Sequence, residues 1–183
     1  KPIESAEDFK GFKIRSTGTP GRVFEKMGAT PVFIPGGELY QALQTGVVDG
    51  AHWGSVSTGW GMNLQEVTDY IVQPDFLSHS NGEFIVGMDQ WNRLSADHKR
   101  VIDMAVRAMS AKASAYFRHQ DFLRMEEFTG KMGKNISMVG DDVIEQLRHH
   151  SMAVVDEYSE QDPKYSGRVG AMLHEFMRLT GKA

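Results

Sequence analysis

Apolar residues recur along this chain in two rhythms. In the first 90 residues short apolar runs alternate with short stretches of helical spacing. Lys13-Ile14-Arg15 reads as a brief strand after Gly11. Thr19-Pro20 reads as an N-cap followed by proline, opening a helix with Val23, Phe24 and Met27 on one face and Gly28 past its end. Thr30-Pro31-Val32-Phe33-Ile34 predicts a strand. Pro35-Gly36-Gly37 then turns the chain into a helix with Leu39, Ala42 and Leu43 inward, closed by Gly46. Val47-Val48-Asp49-Gly50-Ala51 predicts the next strand. Trp60, Leu64 and Val67 fall at i, i+4 and i+7 of a helix, and Tyr70-Ile71-Val72 is a further strand, stopped near Pro74. Such alternation predicts parallel βαβ units, whose ligands gather beyond the carboxyl ends of the strands. The segments after Ile14, Ile34, Ala51 and Val72 are therefore expected on a common rim.

The second rhythm is helical throughout. Glu83 to Met88 reads as one more strand, and a short helical turn surrounds Trp91. Ser95 is placed to cap a long helix running from about Ala96 to Met132, without proline and without glycine before Gly130. At 1.5 Å per residue such a helix reaches on the order of 50 Å, more than the ~30–35 Å width of a compact domain of this size. It must overhang, bend or brace a second domain. Two more helices are predicted, from about Asp141 to Gln161 with Ile144, Leu147, Val154 and Tyr158 inward, and from about Tyr165 to Leu179 with Val169, Met172, Leu173, Phe176 and Met177 on its apolar face. The fold class is thus α/β: a lobe with a small mixed or parallel sheet over residues 1–90, then the long helix and C-terminal helices over 91–183.

Composition narrows the function. The 183 residues are 40% hydrophobic and 24% charged with a net charge of −4, so a nucleic-acid binder relying on a broad basic surface is excluded. Without cysteine there is no disulfide, no thiolate nucleophile and no Cys-type zinc site. No apolar run is long enough for a spanning helix, and the opening Lys1-Pro2-Ile3-Glu4 has no leader pattern. No nucleophile elbow, phosphate loop or H-E-x-x-H spacing occurs. His149 and His150, adjacent on a predicted helix, do not share a face.

Several ordered segments resemble one family. These are Phe9-Lys10-Gly11-Phe12-Lys13-Ile14-Arg15, then Gly28-Ala29-Thr30-Pro31-Val32, then the long run Pro35-Gly36-Gly37-Glu38-Leu39-Tyr40-Gln41-Ala42-Leu43-Gln44-Thr45-Gly46-Val47-Val48-Asp49-Gly50-Ala51, and finally Trp91 to Leu94 with Ser95-Ala96-Asp97. Together they are similar to the solute-binding proteins of tripartite ATP-independent periplasmic (TRAP) transporters, the DctP-like family. The resemblance implies a periplasmic receptor, not an enzyme, that captures a small organic acid and delivers it to TRAP membrane permease subunits. Family members have two lobes and about twice this length, so the chain looks like the C-terminal half, with the N-terminal lobe and half of the cleft absent. Exposed helix surface would then favour self-association.

The resemblance also implies a ligand set. Arg15, at a strand end, would grip the ligand carboxylate with its planar fork. By residue type alone, an arginine beside a loop is a surface charge. Trp53 would line the cleft; the alternative is a half-buried core tryptophan. His52 stands where one branch of the family has a glutamate that helps hold a metal ion. Imidazole suits hard cations poorly, so no metal and no cofactor is expected. His52 would instead donate a hydrogen bond to an anion, or serve as a satisfied polar residue at a strand end. Glu83, Thr17 and Phe76 are placed near the rim. The competing reading is an α/β enzyme acting on a small anion with His52 as general base, oriented by Asp49 or Glu83. A third is an interaction domain using the long helix, against which Lys112, Arg118, Arg124 and Glu126 argue.

Overall fold

The computed structural model describes residues 1–77 and 84–182. Three short strands form a parallel sheet in the order β2-β1-β3, with β1 (Lys13–Arg15) at its centre, β2 (Thr30–Val32) and β3 (Gly50–Ala51). Arg15 is in register with Val32 on one side and Ala51 on the other. The crossovers run through α1 (Gly18–Lys26) and α2 (Gly36–Gln44), as the alternation predicts. One face of the sheet packs Ile14 with Phe9, Phe24, Val143, Leu147 and Val154. The other buries Ile34, Ala42 and Val48 beneath α2.

Several boundaries differ from the sequence expectation, each for a local reason. The first helix opens at Gly18 with Thr17 at the N-cap, not Thr19; Pro20 still lies in the first turn, where a missing N–H costs nothing. The expected strand 47–51 shrinks to Gly50–Ala51. The Val47 and Val48 amides turn back to the Ala42 carbonyl, so Val48, 1% exposed, closes α2 from below. The predicted strand 30–34 ends at Val32. The helix expected around Trp60 to Val67 is broken by Asn63, whose φ of 56° separates α3 (Val56–Trp60) from a 3-10 turn at Leu64–Glu66. Residues 84–87 form no strand and lead directly into α4 (Met88–Arg93), and Glu83 lies outside the described residues.

The strand ending at Val72 does not join the first sheet. As β4 (Tyr70–Gln73) it pairs in parallel with β5 (Asn135–Met138), a strand the sequence reading missed. Its polar Asn135 and Ser137 dilute the apolar signal. Ser137 is buried for a reason: its Oγ accepts from the Ile3 amide at 2.8 Å and donates to the Ile3 carbonyl at 2.7 Å, fastening the N-terminal segment.

Between β4 and β5 the chain makes a long excursion through α5 (Ala96–Glu126), 31 residues capped by Ser95 as expected. At about 46 Å it is longer than the lobe is wide. Its C-terminal end is anchored closely: the Asp121 carboxylate accepts from the Ser57 amide at 2.8 Å, and the Arg124 guanidinium lies over Trp60. A wide turn at Glu127–Lys131 reverses the chain. There Lys134 donates to the carbonyls of Gln65 and Thr68 at 2.7 and 2.6 Å, bracing the turn before β4. α6 (Asp141–Gln161) returns across α1, its Glu157 bonding Arg22 and Lys26. α7 (Ser166–Leu179) folds back onto α6. No described helix is long and apolar enough to cross a membrane.

Candidate functional site

β1 carries the key group because strand alternation separates its neighbours. Ile14 points into the core, so Arg15 must emerge on the opposite face, toward the start of α2. There Arg15 is only 8% exposed. Its Nε donates to the Ile34 carbonyl at 3.1 Å and its Nη1 to the His52 carbonyl at 3.2 Å. The guanidinium carbon lies 4.7 Å from the centre of the Trp53 ring, a cation–π arrangement. Among the described residues no carboxylate comes within 4 Å of it. Burial pulls the Arg15 pKa down from its ordinary value, yet an arginine stays charged in a protein. The site therefore holds a desolvated, fixed cation whose fork is only partly used. Such an arrangement is costly unless an anion completes it.

Trp53 owes its place to a glycine. A Cβ on Gly36 would come within 2.7 Å of the Trp53 ring. Glycine thus allows the indole to lie against the first turn of α2 and face Arg15. The sequence reading takes Pro35-Gly36-Gly37 as a turn and as part of the run that carries the resemblance; a side chain's need for room leaves no trace in spacing.

His52 straddles two environments. Its backbone serves the Arg15 side: the amide donates to the Arg15 carbonyl at 2.8 Å, and its own carbonyl receives Arg15 Nη1. The imidazole turns the other way. Its Nε2 lies 3.0 Å from the Leu77 carbonyl, and its ring meets Phe24 edge-on at 5.6 Å. Phe76 joins the same cluster through an edge contact with Phe24. The structure thus brings Arg15 and Trp53 together on one side, and the His52 ring and Phe76 together on the other. Thr17 is exposed at the head of α1 with no side-chain cap bond. Glu83 lies outside the described residues.

A cavity of about 310 Å³ lies between β3 and β4 and is lined by His52, Trp53, Phe24 and Phe76 but not by Arg15. The guanidinium, which carries the charge, is the better guide to chemistry than this apolar gap. For a hard cation the fit is poor: the donor at residue 52 is a nitrogen already directed at a carbonyl. The described residues also hold no group of three His, Asp or Glu able to coordinate a metal.

The His52 environment has a pH consequence. Burial, the largest influence, lowers its pKa from the ordinary 6.5; the Leu77 bond and Asp75 oppose this, and Arg15 adds to it. The unfolded chain then takes up the proton first, so stability is full above the ordinary histidine range and falls as the pH drops below it through the folded pKa. His150, also lowered by burial, adds in the same direction. Denaturant titrations from pH 8 to 5 are expected to show this acid loss, with His52→Gln flattening part of it. An unchanged slope in that variant would contradict the assignment.

The chain is 25% identical over 169 residues to the monocarboxylate 2-oxoacid-binding periplasmic protein of Nostoc sp., covering 90% of the chain and 45% of that protein. It is 26% identical over 171 residues to the ectoine-binding periplasmic protein TeaA of Halomonas elongata, covering 87% and 47%. The chain thus spans about half the length of these relatives. A TRAP periplasmic solute-binding protein from Colwellia psychrerythraea, solved with calcium and pyruvate bound, shares the fold at a TM-score of 0.77 and 24% identity, with 100% of this chain and 58% of that one covered. The high-resolution structure of the Halomonas elongata ectoine-binding protein gives the same TM-score, 0.77, at 24% identity over 93% of this chain and 56% of that one. Residues 1–162 match the model of the bacterial extracellular solute-binding proteins, family 7 (DctP), and the chain belongs to that family.

Proposed function

We propose that this chain is the Arg15-bearing half of a periplasmic TRAP receptor for a small organic acid, which it passes unchanged to membrane permease subunits. The observation that carries the reading is the buried Arg15 guanidinium, held by two backbone carbonyls and the Trp53 ring and unmatched by any described carboxylate. Two carbonyls fix the fork while leaving donors free, so a carboxylate can be received bidentately. Trp53 supplies the apolar wall. The 2-oxoacid-binding function of the Nostoc relative supports a monocarboxylate as ligand. Closure of a second lobe would exclude water and strengthen the charged contact.

Of the two orienters the enzyme reading offers His52, Asp49 gives it no support and Glu83 lies outside the described residues. The Asp49 carboxylate accepts from the Lys13 amide at 2.8 Å, and His52 Nε2 is directed at Leu77, so the two form no acid–base pair. No cation is assigned to the ligand, for the reasons of donor chemistry given above.

The test is a titration of the chain with 2-oxo and 2-hydroxy monocarboxylates, and with their methyl esters, followed by NMR at the Arg15 Nε–H and Trp53 Nε1–H. Saturable shifts with the acids and none with the esters are expected. Equal responses to both, or turnover of the acid, would overturn the reading.

A further inference from the structure

The C-terminal helix carries an apolar surface that neither core uses. The sequence reading places Val169, Met172 and Phe176 on the apolar face of α7. In the structure Tyr165, Val169, Met172, Phe176 and Leu179 are 55–73% exposed. They are spaced 4, 3, 4 and 3 residues apart, which is the a/d pattern of a coiled-coil seam. The helix cannot roll to hide them, because its inner face is locked. A Cβ on Gly170 would fall 2.2 Å from Ser159 Oγ of α6, so any larger residue would have to displace that hydroxyl from its bond to the Val155 carbonyl. One turn on, His174 Nε2 bonds Asp156 at 2.6 Å.

We propose that this face is a self-association seam, occupied by α7 of a second copy in antiparallel orientation. Charge decides both occupant and direction. Arg168 and Glu175 flank the seam on one edge, on either side of Met172. An antiparallel two-fold between residues 170 and 171 layers Val169 on Met172 and Tyr165 on Phe176, and brings each Arg168 beside Glu175 of the second copy, giving two ion pairs. A parallel pairing would leave both charges unmatched. Glu175 already holds Arg178 on its own helix at 2.6 Å, which keeps it ordered at the edge. The exposed apolar residues of α5, Val101, Met104, Met109, Tyr116 and Phe122 among them, keep no single stripe. With a helix of 14 residues, the seam is smaller than the ~1,200–2,000 Å² of most stable complexes. The dimer is therefore concentration-dependent.

Sedimentation velocity over a wide concentration range is the test, with circular dichroism to check that each variant is folded. The wild-type chain is expected to pass from monomer to dimer. Met172→Glu, which brings two like charges to the seam centre, should raise the dissociation constant by more than about tenfold. Met104→Glu on α5 should leave it unchanged. Arg168→Glu alone should weaken the dimer, and the exchange R168E with E175R should recover it. A chain that stays monomeric throughout would overturn the proposal. So would a dimer that tolerates Met172→Glu or yields to Met104→Glu, or a charge exchange that restores nothing.

Discussion

Replacing Arg15 with alanine is expected to weaken carboxylate binding by about 2–5 kcal/mol once a second lobe covers the site. That is a loss of roughly 30-fold to several thousand-fold in affinity. The loss has two sources. The ligand gives up a charge-assisted pair in a desolvated place, and the carbonyls of Ile34 and His52 lose their donor. In the chain alone one wall is open to water, the pair is screened, and the smaller end of that range applies.

The two sources can be separated. Arg15→Lys keeps the charge but not the fork, so one ammonium cannot serve two carbonyls and a bidentate carboxylate together. It should retain a preference for acid over ester while binding both less tightly. Arg15→Ala should erase the preference altogether. Calorimetry with an acid and its methyl ester, on a chimera that joins the N-terminal half of the Nostoc relative to this chain, makes the comparison. An alanine variant that stays folded and still prefers the acid by the wild-type margin would remove Arg15 from the binding site.

The elements that were legible in the sequence are those whose pattern is local. α1, α2, α5 and α6 follow from helical periodicity, and the Ser95 cap lies where its hydroxyl can reach the His98 amide. The position of Arg15 was legible for the same reason: a residue after a buried Ile14 on a short strand has to point away from the core. What spacing could not reveal depends on partners distant in the chain. β5 exists because β4 offers an edge some 65 residues earlier. Val47 and Val48 look like strand residues, yet the Ala42 carbonyl captures their amides. His52 reads as a rim residue, but its ring turns inward because Phe24 and the Leu77 carbonyl lie there. The outward stripe of α7 is a case of the same kind. Periodicity marks an apolar face but does not say which side the neighbouring helix takes, and Gly170 against Ser159 settles that.

The largest expected loss of stability comes from Phe24, which joins the core to the site. It is 1% exposed, stacks with Phe9 at 6.0 Å and meets the rings of Phe76 and His52 edge-on. Phe24→Ala removes a fully buried ring from between β1 and α6, and a loss of about 3–5 kcal/mol is expected. At about 2–4 °C per kcal/mol for a chain of this size, the melting temperature should fall by roughly 6–20 °C. Phe24→Leu, which refills most of the volume, should recover much of this. The variant also reports on the site. Loss of the ring opens one side of the His52 imidazole to water, so its pKa should rise back toward 6.5, the ordinary value from which burial holds it down. Urea denaturation gives the first number and an NMR titration of the histidine Cε1–H gives the second. If the stability fell as expected while the His52 titration stayed in place, Phe24 would be a core residue only, and the link drawn here between the core and the binding face would be broken.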